Sequence, residues 1–305
     1  MFKDYKGNLM SKLLRETARF FFHLYPSERG KYKIIEDIYF KYLAPKDRIR
    51  KRCRIFHNIK MDLELSEYVQ ANLYFYGSYE KPTLKFICKL LKYGDTTIDV
   101  GANVGLMSLV FAKCIGKSGK VFSFEPEPNN NASLLNNINL NSFSNISVSN
   151  SALSNKKDVL KFYLSNDNNS GTHSLYYNAE KLSKDFIEVQ ALPFDEFIVG
   201  KDISEIKLIK IDVEGAELDV IDGMKMTLQS LKPVLILEVV EKYLNQRDSS
   251  SAEFKKYMLN SLNYEPYKIF NSGYLELEPL NDICIGDNIV FIHKDTITVY
   301  RDLIK

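Results

Sequence analysis

Two stretches of the chain combine residue types that ligand chemistry needs. The first is Thr97-Ile98-Asp99-Val100-Gly101-Ala102-Asn103-Val104-Gly105, an apolar run carrying an acid that enters a small-residue turn and opens a helix. Glycine lets the backbone approach a ligand closely and adopt positive φ. A strand-to-helix turn of this kind sits at the carboxyl edge of a parallel sheet, where ligands bind. The second is Val121-Phe122-Ser123-Phe124-Glu125. It ends on a carboxylate roughly 20 residues beyond Gly105, the place from which such folds reach ribose hydroxyls. The alternative for Glu125 is a helix-start charge, because Glu125-Pro126-Glu127-Pro128 leads into a helix, and the two roles are compatible.

The spacing discriminates between ligands. Position 103 is Asn, so the middle glycine of a dinucleotide loop is absent, and no Lys-Ser/Thr pair follows Gly105 as in a phosphate-binding loop. A nucleoside without phosphates fits better.

The elements that must position these residues follow a simple rhythm. From Lys81, β-type runs alternate with helical stretches: Thr97–Val100, Leu106–Cys114, Val121–Phe124, Ala132–Ile138 and Ile146–Ser149. The rhythm resumes with Leu208–Ile211, a helix over Glu217–Leu231, Val234–Val239, a helix over Ser251–Leu262, and a closing pair Tyr274–Leu277 and Asn288–His293. Such alternation predicts crossover units and a parallel sheet. Between the halves, Val159–Leu164 and Phe186–Leu192 read as strands around a polar loop, Ser165–Ser174. Asn is abundant here and over Asn129–Asn145, which composition bias explains, although an Asn after Pro128 can also cap a helix. Residues 1–80 read as a separate aromatic and basic extension. Leu13, Leu14, Phe20, Phe21 and Leu24 take helical spacing, Pro26 and Pro45 punctuate, and Phe56–Leu65 alternates like a strand.

Bulk properties narrow the classes. The 305 residues are 45% hydrophobic with a net charge of +2, enough for one large core and too little charge for general nucleic-acid binding. No run approaches the roughly 18 apolar residues of a membrane span, and none has signal-peptide length, so a cytoplasmic protein is the expectation. Cys53, Cys88, Cys114 and Cys284 form no C-x-x-C pair and read as small packing residues rather than reactive thiols. The dispersed histidines argue against a histidine-built metal site.

In combination these motifs resemble the FkbM-type family of class I S-adenosylmethionine-dependent methyltransferases. The resemblance runs from Gly77 to His293 through the glycine loop, Phe124-Glu125-Pro126, Ala152-Leu153-Ser154, Asn169-Ser170-Gly171, Lys210-Ile211-Asp212-Val213-Glu214-Gly215-Ala216-Glu217 and Ile236-Leu237-Glu238. It implies an α/β fold: a doubly wound, mostly parallel Rossmann-like sheet with a closing antiparallel strand, a β insertion over about 155–200, and a small helical N-terminal extension, the methyltransferase domain covering 81–305. It implies that S-adenosyl-L-methionine is the cofactor. Asp99, Gly101, Asn103 and Gly105 would embrace its methionine moiety, Glu125 its ribose, and Ser151 and Ala152 would lie near its adenine. Asn169 and His173 would face the substrate. Two departures from the family pattern, His173 and Pro193-Phe194 before Asp195, fall in the insertion expected to face the substrate.

If Leu208–Ile211 is the fourth parallel strand, Asp212 and Glu214 face the glycine loop across the switch point, and Glu238 joins them. A carboxylate there suits proton removal from an alcohol, which makes Asp212, Glu214 and Glu238 the candidate catalytic residues. The alternatives are a helix-start acid pair or a Mg²⁺ site, and the expectation is that no metal is obligatory. The family precedent points to O-methylation of a carbohydrate or glycan precursor; a small secondary metabolite is the second choice, and a non-catalytic nucleoside-binding protein the choice from another class. Asn103 disfavours an NAD oxidoreductase, and the lack of any Pro-Pro pair disfavours a nucleic-acid methyltransferase, so no nucleic-acid partner is expected. Arg48, Arg50, Lys51, Arg52 and Arg54 read first as a solvated face, second as a peripheral contact with anionic glycan or lipid at the inner membrane face. Tyr74, Phe75, Tyr76, Tyr79, Tyr176 and Tyr177 could stack on sugar faces or simply pack in a core. Oligomeric state has no signature.

Overall fold

The computed structural model describes residues 13, 15–20, 39, 48–165, 173–176 and 182–305. Leu14, Phe21, Leu24, Pro26, Pro45, Asn169, Ser170, Gly171 and Tyr177, all used above, lie outside them. The chain forms two units, one ending at Glu80 and the other comprising Lys81–Asp167 and Thr172–Lys305.

In the smaller unit β1 (Arg50–Ile55) and β2 (Ile59–Glu64) pair antiparallel, and α1 (Tyr68–Tyr76) follows. The described part is thus a hairpin and a helix rather than a purely helical extension. Phe56–Leu65 is not one strand, because His57 and Asn58 turn the chain with φ of 53° and 64°. The charges of Arg-Lys-Arg-Cys-Arg hid β1, yet they alternate as a strand requires: Arg50, Arg52 and Arg54 are exposed, Cys53 and Ile55 buried. Arg48 and Arg50 approach Glu64 at 3.6 and 3.9 Å. Tyr74 and Phe75 are 1% exposed and pack edge to face, so they belong to this unit's core and are not a sugar platform.

The larger unit begins with α2 (Lys81–Leu90), β3 (Thr96–Val100), α3 (Leu106–Ile115), β4 (Lys120–Phe124), α4 (Pro128–Asn141) and β5 (Ile146–Ser149). An inserted three-stranded sheet follows, built from β6 (Ala152–Leu153), β7 (Asp158–Ser165) and β8 (Leu182–Leu192), and α5 (Phe194–Phe197) succeeds it. The second half is β9 (Leu208–Ile211), α6 (Glu217–Asp222), α7 (Lys225–Leu231), β10 (Val234–Val240), α8 (Glu241–Asn245), α9 (Ser251–Leu262), β11 (Tyr264–Ile269), β12 (Leu275–Leu277) and β13 (Ile285–His293). The main sheet has eight strands in the order β12-β11-β13-β10-β9-β3-β4-β5. From β10 to β5 all neighbours run parallel, whereas β13 is antiparallel to both β10 and β11. This is a doubly wound α/β fold, and its strand order reverses between β3 and β9, where ligands bind in such sheets.

Four expectations change. The helix expected over Glu217–Leu231 breaks at Gly223, where an added Cβ would lie 2.0 Å from the Ser154 carbonyl oxygen. The closing pair does not pair with itself: β11 lies between β12 and β13. Pro266, which cannot donate to a ladder, concealed that strand. Helix α4 starts at Pro128 rather than Ala132, with Glu127 as its cap, accepting from Asn130 N at 2.7 Å. Pro193–Phe197 is not a substrate-facing surface. Phe194 is fully buried against Phe124 and Phe197, and Asp195 accepts from Met226 N, Thr227 N and Thr227 Oγ1, capping α7 from outside it.

Candidate active site

The sheet register builds the site. Phe124 pairs with Val100, Val100 with Ile211, and Ile211 with Leu237. The next residue on each strand is Glu125, Gly101, Asp212 and Glu238, so these form a row along the carboxyl edge, across the switch point.

The glycine turn is held from both sides. Gly101 has φ +81°, and an added Cβ would lie 1.9 Å from the Asp212 carbonyl oxygen, so only glycine lets the turn pass the end of β9. Asn103 also takes a left-handed φ of 48°, which Asn tolerates, while its Oδ1 accepts from Val104 N at 2.6 Å. Gly105, at φ +99°, caps α3. The buried Asn137 amide of α4 donates to Val104 O at 2.9 Å, which gives one member of the Asn-rich run a structural task. Asp99 lies beneath the turn, 2% exposed, with its carboxylate accepting from Ser108 Oγ. Burial pushes its pKa up to about 6.

Glu125 is 4% exposed and uses its carboxylate on backbone donors: Asn103 N at 2.7 Å and Glu127 N at 2.9 Å. The helix-start role falls to Glu127 instead. Burial, opposed by those two donors, pushes Glu125 up to about 7. Ser151 follows β5 at the same edge, and Ala152 is buried in β6, paired with Ala191.

Across the switch point, one carboxylate oxygen each from Asp212, Glu214 and Glu238 lies within 4.8 Å of the others. Glu214 has φ +51°, a conformation that a non-glycine residue keeps only when its surroundings over-determine it. They do so here. Glu217, buried, accepts from Val213 N at 3.2 Å and Gly215 N at 3.1 Å on either side of it. Ser174 Oγ donates to the Glu214 carbonyl at 2.7 Å, and the Tyr243 hydroxyl donates to its carboxylate. Burial raises Glu217 to about 7 and raises Tyr243 as well.

The insertion reaches this loop through Ser174. Ser174 exchanges backbone hydrogen bonds with Tyr163 of β7, and its Oγ accepts from Tyr176 N at 3.0 Å. Tyr176 is tied down by its hydroxyl on Asp219, which also takes Arg247 at 2.9 Å and Asn155 at 3.1 Å. His173, beside Ser174, accepts from Ser165 N at 2.8 Å through Nδ1.

A family model described as the Methyltransferase FkbM domain matches residues 99–266, from the buried acid of β3 into β11. The chain belongs to the FkbM methyltransferase family. Among curated relatives, Hexuronic acid methyltransferase AglP of Haloferax volcanii is 26% identical over 157 residues, which are 52% of this chain. The match spans 61% of that protein's length. Among solved structures, methyltransferase FkbM of Methylobacillus flagellatus has TM-score 0.46 at 16% identity, covering 72% of this chain and 52% of that one. A SAM-dependent O-methyltransferase of Thermotoga maritima has TM-score 0.37 at 16% identity, covering 70% of this chain and 64% of that one.

Within this FkbM domain, four residues beyond the expected catalytic acids surround the cluster: Lys210, Tyr243 and Ser174, for which the sequence suggests no role, and Glu217, expected only as a helix-start acid. Lys210 is 2% exposed, and its Nζ meets Asp212 Oδ2 at 2.7 Å. A lysine inside the apolar strand Leu208-Ile209-Lys210-Ile211 signals a buried charge that needs a partner, and Asp212 is within reach two residues on. Tyr243 and Ser174 carry no comparable local signal.

Proposed function

We propose that the chain transfers a methyl group from S-adenosylmethionine to a hydroxyl on a carbohydrate or glycan precursor. The observation that carries this reading is the row Glu125, Gly101, Asp212 and Glu238, which puts a nucleoside-type turn against a carboxylate cluster. The residues fit the cofactor. The turn is free of side-chain bulk at Gly101 and Gly105, and Glu125 closes β4 with the group that accepts from a ribose diol. Gly101, Asn103 and Gly105 would line the methionine portion above Asp99, while Ser151 and Ala152 would flank the adenine. When bound, S-adenosylmethionine supplies a methyl group already activated by its sulfonium.

The chain's own residues then orient the acceptor and take its proton. Lys210 fixes Oδ2 of Asp212, and Asp212 is the assigned base, a role worth about 10²–10⁴-fold. Glu214 and Glu238 orient the acceptor. The cluster acts without an obligatory metal, since Lys210 already offsets the Asp212 charge. A chelator should leave the rate intact; loss of activity with recovery on adding Mg²⁺ overturns that. Glu125→Ala should weaken S-adenosylmethionine binding about 10- to 100-fold, from charge-assisted bonds worth about 1.5–3 kcal/mol. Unchanged affinity by calorimetry in a folded variant removes the ribose role.

The carbohydrate reading draws on the hexuronic acid methyltransferase relative and on the chemistry of alcohol deprotonation. The exposed basic face of Arg50, Arg52 and Arg54 suits an anionic acceptor or its lipid-linked form at a membrane surface. No helix among the described residues is long and apolar enough to cross a membrane. The test is deletion of the gene followed by mass spectrometry of extracted glycans for a missing methyl increment. If glycans stay unchanged while a small metabolite loses a methyl group, the acceptor is that metabolite.

A further inference from the structure

Cys88 and Cys114 are 26 positions apart, on α2 and α3, and their sulfurs meet at 3.2 Å. A disulfide spans about 2.0 Å, so a shift of about 1 Å closes the gap. Both residues are half-buried, whereas Cys53 and Cys284 are buried. We propose that Cys88 and Cys114 form a peroxide-sensitive pair that closes into a reversible disulfide stapling α2 to α3.

The contact prepares the chemistry. The hydrogen bond between the thiols favours a thiolate on the accepting sulfur; with Cys114 donating, the Cys88 pKa falls below its ordinary value and that of Cys114 rises, so Cys88 is assigned as the nucleophile and Cys114 as the resolving thiol. The Cys88 thiolate attacks hydrogen peroxide, an S–O bond forms as the O–O bond breaks, and the departing hydroxide takes a proton to become water. Cys88 is oxidised to a sulfenic acid and the peroxide is reduced. The Cys114 sulfur then attacks that sulfenic sulfur; an S–S bond forms, the S–O bond breaks, and a second water leaves with the Cys114 proton. Two thiols and one peroxide give one disulfide and two waters. Cys114 lies nine residues past Gly105, about 13 Å along α3 at a rise of 1.5 Å per residue, so the staple forms away from the glycine turn.

The test treats the full chain with a small excess of hydrogen peroxide, then denatures it, alkylates free thiols and maps peptides by mass spectrometry. The expected product is a Cys88 peptide joined to a Cys114 peptide with loss of two hydrogens, reversed by dithiothreitol, while Cys53 and Cys284 are alkylated. The joined protein should melt about 5–10 °C higher than the reduced one. In Cys114→Ser the cross-link and the melting shift should vanish, and Cys88 should be trapped by dimedone as sulfenic acid. Full alkylation of Cys88 and Cys114 after peroxide, or cross-links distributed among all the cysteines, overturns the proposal. An unchanged melting temperature in the cross-linked protein overturns the stapling.

Discussion

At the scale of single residues, the acids of the site divide by how their oxygens are spent. Glu217 spends its carboxylate on Val213 N and Gly215 N, and Glu125 on Asn103 N and Glu127 N, so each shapes a turn. Asp212 differs: its carboxylate takes a lysine side chain, Lys210, and no backbone donor among the described residues, and it stands at the exit of β9 next to Gly101. A proton acceptor needs an oxygen not committed to the backbone, which Asp212 has and Glu125 and Glu217 do not. Asp212→Asn should therefore lower the saturated turnover rate at least 10²-fold while changing the S-adenosylmethionine Kd less than about threefold. A variant with near-wild-type turnover would make Asp212 a partner for Lys210 and nothing more. Replacement with Asn keeps the volume and tests the charge, although the buried Lys210 then loses an ionic partner and some stability should go with it. The comparison is therefore made at a temperature where both proteins are folded.

At the scale of elements, several joints of the fold are set by contacts distant in sequence. Asp195 joins α5 to α7 by accepting from Met226 N and Thr227 N, each at 2.9 Å. Asp195→Ala leaves those first-turn donors without their acceptor, so it should cost about 1–2 kcal/mol and lower Tm by about 2–8 °C. Kinetic constants per folded molecule should stay the same, and a selective loss of turnover would place Asp195 in the site after all. This also explains what could be read in advance. β3, β4, β9 and β10 are short, largely buried runs rich in β-branched and aromatic residues, and α9 has its own Ser250 cap, so their signals are local and their positions were legible. The register of those strands follows from the doubly wound order, and with it the row from Glu125 to Glu238. The break between α6 and α7 answers to Ser154, and β11 pairs despite Pro266, so neither has a local signature. Glu214 is the clearest case at the site. Its identity stands in the motif, but its left-handed backbone depends on Ser174, some forty positions away through the insertion, and on Tyr243 beyond the next strand.

For the whole molecule, the decisive feature is that three buried carboxylates share one edge of the sheet and all titrate above their ordinary range. Burial raises Asp99 to about 6, and Glu125 and Glu217 to about 7. The unfolded chain loses these protons near pH 4–4.5, so between there and pH 7 the folded state binds more protons than the unfolded one. The contribution of these groups to stability is therefore present in full below pH 4 and is lost as pH rises through about 7. His293 runs the other way: burial lowers its pKa, so its contribution holds above pH 6.5 and falls as the solution is acidified. A plain melting curve against pH mixes the two, so the informative quantity is the difference between wild type and Glu217→Gln, which leaves His293 alone. That variant should lose less Tm than wild type on going from pH 5.5 to pH 8. The cofactor reverses the preference at Glu125, because accepting from a ribose diol favours the ionised carboxylate. Affinity for S-adenosylmethionine should accordingly rise between pH 6 and pH 8, and the gain in Tm on adding it should grow over the same range in which the ligand-free protein weakens. Parallel melting series with and without S-adenosylmethionine measure both slopes. If the ligand-induced shift is flat across that range in wild type, Glu125 does not meet the ribose as a carboxylate. If Glu217→Gln keeps the wild-type pH slope, its turn is not where the folded state holds its extra proton.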